Sequence, residues 1–226
     1  MAGGPSSGSG SADSGGSGPA AGGFGASLKG GSGSSLFWSE VTVPGRPRVL
    51  VLDAVEDRDG WEAEATAHIA NSLTRRDIPV IGKAPIPVSG RDDIAAAIKS
   101  ADDFNCIFLT TRADGSTSAA ECWLALQDIL AGSSKLFAMC TWDSADPEIA
   151  NSALKDEGTF APVAVVQQEP MSGRGASLFF MKFFAELDMH SEATESMTGK
   201  MVWFGHSKAR EIMRRRHYEG RVGLRS

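Results

Sequence analysis

The chain has 226 residues, 42% of them hydrophobic, which is enough for one domain of moderate size plus a tail. No apolar run approaches the ~20 residues a membrane-crossing helix needs, and a net charge of -6 argues against nonspecific nucleic-acid binding by the whole chain. Three cysteines without CxxC spacing and four scattered histidines without HExxH spacing point to a reducing, cytoplasmic or other intracellular compartment, and away from a structural metal.

Residues 1–35 are Gly-, Ser- and Ala-rich and hold half of the 26 glycines. Such a stretch buries too little apolar surface to offset its ordering entropy, and it lacks the charge and apolar blocks of a targeting segment, so a disordered tail is predicted. Residues 36–43 suit a short edge strand or docking segment. Residues 48–55 (RVLVLDAV) form a continuous apolar run, as in a central parallel strand. The spacing of Trp61, Ala65, His68, Ile69, Ser72 and Leu73 predicts a helix over 61–76. Residues 78–81 read as a second strand, followed by an extended Pro-rich loop over 82–89.

A second helix is expected over 91–100, with Ile94, Ala97 and Ile98 inward. A third strand follows over 105–111, and a third helix over 118–131 burying Cys122, Leu126, Ile129 and Leu130. Residues 135–140 form the fourth strand. Asp146-Pro147 opens a short helix to about 157, and residues 160–166 make the fifth strand. A strongly apolar helix is predicted over 177–187 and an amphipathic one over 197–216. This alternation predicts an α/β fold, three-layer α/β/α around a mostly parallel five-stranded sheet. The domain is expected over 36–190, followed by a basic helical extension over 191–226.

In such sheets, sites form at the carboxyl ends of strands. Those ends carry Asp53, Thr111-Arg112, Cys140, Asp143 and Gln167. Cys140 is a nucleophile if a base or cation lowers its pKa; otherwise it is a small buried hydrophobe. Asp53, Glu56, Asp57 and Asp59 form either a Mg²⁺-binding cluster or a solvated loop. Gly173-Arg174-Gly175 precedes the apolar helix, where a helix N-terminus with Arg174 can receive an anion. It is neither a dinucleotide fingerprint nor a Walker loop, and no cofactor is implied. Glu121 and Trp123 open the third helix, where an ordinary amphipathic helix is the alternative. The last 20 residues hold seven Arg or Lys against two Glu, leaving the rest of the chain strongly acidic. Arg214, Arg215 and Arg216 can meet an acidic or phosphate-bearing protein partner, or simply complement the helix dipole.

The order Asn105-Cys-Ile-Phe-Leu-Thr-Thr-Arg112, a helix, and Lys135-Leu-Phe-Ala-Met-Cys140 resembles caspase-like domains of the CHAT type. So do residues 150–158, followed by Ala164-Val-Val166 and the Phe179–Leu187 helix. The resemblance covers 48–187 and places Cys140 at the catalytic cysteine. Thr111-Arg112 stands where that family has His-Gly, which implies a degenerate, non-catalytic domain. The stretch Gly90–Ile98, strand 107–111 and Ser118–Leu126 is similar to TIR domains, where a glutamate early in this helix serves NAD-cleaving members. Glu121 is the nearest match, although its Cys-Trp neighbours are reordered. Both resemblances imply a caspase-like or flavodoxin-like sheet. The leading expectation is a non-enzymatic adaptor or scaffold domain. The alternatives are a cysteine hydrolase using Cys140 and a TIR-like enzyme using Glu121.

Overall fold

A computed structural model of the chain describes residues 42–56, 60–112, 118–130, 133, 135–142, 163–167, 172–216 and 222–225. The Gly/Ser-rich segment 1–35, most of the expected 36–43 strand and the expected helix after Asp146 lie outside the described residues. The described chain is mixed α/β. Its strands are β1 (Thr42–Pro44), β2 (Val49–Asp53), β3 (Val80–Pro87), β4 (Cys106–Arg112), β5 (Leu136–Trp142), β6 (Val163–Gln167), β7 (Ser196–Thr198) and β8 (Val222–Arg225). Its helices are α1 (Trp61–Thr74), α2 (Arg91–Ser100), α3 (Ala119–Leu130), α4 (Gly173–Ser191) and α5 (Gly199–Arg215).

Among the described residues the main sheet has six strands, one more than the five expected, in the order β3-β2-β4-β5-β6-β8. The first five are parallel and β8 runs antiparallel to β6. A separate antiparallel pair joins β1 to β7. Side chains alternate across the sheet as the pleat demands. Val49, Val51, Cys106, Phe108, Leu136, Ala138 and Cys140 face one core, shared with α1, α4 and α5. Leu50, Leu52, Ile107 and Leu109 face a second core, shared with α2 and α3. α1 lies on the opposite face from α2 and α3, as right-handed crossovers require when the β2-to-β3 step runs to one edge and the β3-to-β4 and β4-to-β5 steps run the other way.

Phenylalanine dominates the first core. Phe179, Phe180, Phe183 and Phe184 of α4 are fully buried, and the Phe108 ring of β4 lies 4.7 Å from Phe180 and 6.2 Å from Phe184. Burying each such ring stabilises by roughly 1.5–3 kcal/mol against the exposed chain. α4 and α5 cross closely at Gly205, where an added Cβ would stand 3.2 Å from the Phe183 carbonyl oxygen. Val202, Ala209 and Met213 carry α5 into the same core. Asn105 ties the entry of β2 to β4: its Oδ1 accepts from the Arg48 amide at 2.8 Å, and its Nδ2 donates to the Pro44 and Arg46 carbonyls at 2.6 and 2.8 Å.

Several boundaries differ from the sequence expectation. β3 runs through the Pro-rich stretch read as a loop, because β3 is an edge strand and Pro85 and Pro87 need no donor on its open side. Its register shifts between Leu50 and Leu52 of β2, where Gly82 and Lys83 take positive φ values of 79° and 64°. α4 begins four residues before position 177. Ser172 caps it, its Oγ accepting from the Gly175 amide at 3.1 Å, so the Gly-Arg-Gly stretch lies inside the helix. α5 begins at Gly199 behind the Thr198 cap, and Met197 belongs to β7, paired with Val43.

Candidate functional site

Two regions bring chemistry-bearing side chains together. The first is the carboxyl edge of the sheet where β2 and β4 adjoin and the crossovers diverge, the position at which open α/β sheets bind ligands. Asp53 pairs in register with Thr110, and Thr110 with Cys140, so all three share the face covered by α1 and α4. Asp53 is buried, and its Oδ1 accepts from the Thr110 hydroxyl at 2.9 Å and the Val55 amide at 3.2 Å. The Thr66 hydroxyl of α1 lies 3.0 Å from Thr110 Oγ1 and 2.9 Å from the Glu62 carbonyl. Glu62, only 3% exposed, accepts from Arg112 Nη1 at 3.2 Å. This chain of contacts joins β2, β4 and α1. It engages the carboxylate-bearing Asp53 and the cationic Arg112 in a polar network across the three elements. Of the other acidic residues expected here, Glu56 is exposed, and Asp57 and Asp59 lie outside the described residues.

Cys140 is fully buried in the core that β5 shares with α1, α4 and α5, and burial pushes its thiol well above the ordinary range. Cys106, also fully buried, is raised for the same reason and stands 4.0 Å from the Met197 sulfur. Burial pushes the Cys122 thiol up to about 11, opposed by a hydrogen bond with Thr111. All three cysteines are free thiols. Thr111 is buried on the α3 face, away from Asp53. Glu121 is exposed in the first turn of α3. Its Oε2 accepts from the Ser118 amide at 3.0 Å, while Ser118 Oγ accepts from the Glu121 amide at 3.2 Å. That reciprocal pair is a capping box, a signal legible as Ser-x-x-Glu. Asp143 lies outside the described residues.

The second region is a cleft of about 930 Å³ lined by α1, by α4 and by Arg216, the residue that follows α5. Trp61, Glu64 and His68 line its α1 wall; Arg174, Leu178 and Met181 line its α4 wall; Arg216 also lines it. Glycine at 173 is what lets the two helices meet here. A Cβ at that position would lie 2.5 Å from Trp61 Cζ3. The Trp61 ring remains 46% exposed. Arg174 and Arg216 make no ion pair or side-chain hydrogen bond with any described residue. Arg215 donates to Glu211 at 2.5 Å, and Arg214 is exposed beside it.

The structure therefore gathers Arg174 and Arg216, which are 42 positions apart, and separates both from Cys140, Thr111 and Glu121. Sequence reading missed the cleft itself. Trp61 and His68 carried its signal, as residues assigned to an inward face that in fact stand exposed. Among the described residues no cluster of three or more His, Cys, Asp or Glu is placed to hold a metal. No helix of the described residues is long and apolar enough to cross a membrane. The chain matches no protein-family model and no curated protein sequence.

Proposed function

We propose that this chain is a non-enzymatic α/β interaction domain, a degenerate relative of caspase-like domains that acts as an adaptor or scaffold. The observation that carries the reading is the seal around Cys140. A cysteine hydrolase attacks with a thiolate, and a fully buried thiol, with its ionisation opposed by burial, is a poor source of one. The order of the five parallel strands supports a three-layer, flavodoxin-like winding, in which the ligand position is the β2/β4 edge. There Asp53, Thr110 and Thr66 contact one another, and Glu62 holds Arg112. Glu121 supports no NAD-cleaving role, because its carboxylate caps α3. Three free buried thiols support a reducing compartment.

Iodoacetamide labelling of the native chain near neutral pH tests this reading. All three cysteines should label slowly, at rates set by unfolding, and NAD added in a parallel incubation should remain intact. Rapid labelling of Cys140 with Cys106 and Cys122 protected would restore the hydrolase. NAD consumption that is lost on Glu121→Gln would restore the TIR-like enzyme.

A further inference from the structure

We infer that the α1–α4 cleft is the docking site for a phosphorylated segment of a partner protein, with Arg174 and Arg216 holding the phosphate and Trp61 packing the neighbouring side chain; this deepens the interaction reading and rests on it. Three observations converge. Two guanidinium groups from distant parts of the chain line one cleft, and neither is neutralised by a described carboxylate. Holding like charges on one concave surface costs free energy that a bound dianion removes. A phosphate monoester at neutral pH carries close to two negative charges, so it balances both arginines, whereas a lone carboxylate balances one.

The first turn of α4 opens onto the same cleft, capped by Ser172 at the Gly175 amide, and its positive end adds to the arginine field. The rest of the cleft is different in character. Trp61 presents a half-exposed ring on the α1 wall, and Leu178 and Met181 add apolar surface along α4 beyond Arg174. Glu64, the acidic residue of the cleft, would repel a phosphate placed against α1, and it offers an acceptor to a backbone N–H. An anion at the α4 end and an apolar, hydrogen-bonding strip beside it match a peptide better than a free ion. A nucleotide is disfavoured by the glycines. Gly173 supports the Trp61 ring and Gly175 is buried inside the helix, so neither forms a phosphate-cradling loop.

The test uses the full chain immobilised on beads and a degenerate peptide library centred on phosphoserine or phosphothreonine, with the same library unphosphorylated as reference. ATP and inorganic phosphate serve as competitors. The phosphorylated library should be retained at least tenfold over the reference. Arg174→Gln and Arg216→Gln should each reduce retention several-fold and together abolish the preference. Both side chains are at the surface, so urea midpoints should be unchanged, which separates lost binding from lost folding. Equal retention of both libraries overturns the inference, as does retention that survives the double variant. Micromolar ATP binding without peptide retention would assign the cleft to nucleotides and overturn it too. Failure here with Cys140 still unreactive removes only the phosphate assignment. Rapid Cys140 labelling with retention intact removes only the non-enzymatic reading.

Discussion

Asp53 is a carboxylate at the position where many α/β sheets keep a functional group, yet here it is held by structure. The Thr110 hydroxyl and Val55 amide both donate to its Oδ1, and the side chain is buried. A hydrogen bond to a charged group contributes more than a neutral one, and removing its donor leaves the desolvated acceptor behind. Thr110→Val keeps the shape and deletes the donor, so it should destabilise by about 1.5–3 kcal/mol. Thr66→Val removes only a neutral hydroxyl contact and should cost less, about 0.5–1.5 kcal/mol. Urea midpoints at neutral pH measure both. An equal cost for the two would mean that the Thr110 bond to Asp53 contributes no more than a contact between neutral groups.

At the scale of elements, the α4–α5 packing is the tightest test of the fold. Glycine in a helix interior ordinarily costs about 1 kcal/mol relative to alanine, so Gly205→Ala would stabilise an isolated α5. In the folded chain the new methyl meets the Phe183 carbonyl at 3.2 Å and the Phe183 ring at 3.5 Å. A helical carbonyl gives way only if the two helices separate, and separation loosens the Phe179–Phe184 contacts behind it. Gly205→Ala should therefore lower the melting temperature despite its helix propensity. A rise would show that α5 can slide outward freely and that the crossing is not set by this contact. Gly173 illustrates the same logic with a softer neighbour, since the far edge of a half-exposed Trp61 can move and a backbone carbonyl cannot.

The whole molecule has a built-in sensitivity to alkaline pH. Its three thiols are free, buried and raised above the ordinary value of 9.0. In the unfolded chain they ionise near that value; in the folded chain they stay protonated, Cys122 until about 11. The folded state therefore binds more protons than the unfolded state above pH 9, and stability falls as pH rises. Their contribution is fully present below pH 9 and, for Cys122, is lost between 9 and about 11. Each thiol adds a slope of roughly 1.4 kcal/mol per pH unit within its window. Urea midpoints followed from pH 7 to 10.5 should decline above 9, and Cys122→Ala should decline less steeply by one proton's worth. Parallel curves for the two proteins would show that Cys122 ionises equally in the folded and unfolded states.

What the sequence determines by itself is local and periodic. The α/β alternation, the third helix with its Ser118–Glu121 box, the apolar β2 and β4 runs and the inward Phe stripe of α4 are each written in a few consecutive residues, because hydrophobic period and capping act over one or two turns. The length of β3 is not local. Prolines forbid a central strand but suit an edge, and whether Val80–Pro87 is an edge depends on where every other strand settles. β8 is likewise hidden. Val-Gly-Leu-Arg has no strand signature of its own and becomes a strand by pairing with β6. The cleft is the furthest from the sequence. Arg174 was legible as a cation at a helix start, and Arg216 as part of a basic run. Only the packing of α1, α4 and α5 brings the two to one surface beside Trp61. Charge is carried by the residue, but the field a ligand meets is set by separations in space, and those are fixed by tertiary contacts between segments far apart in the chain.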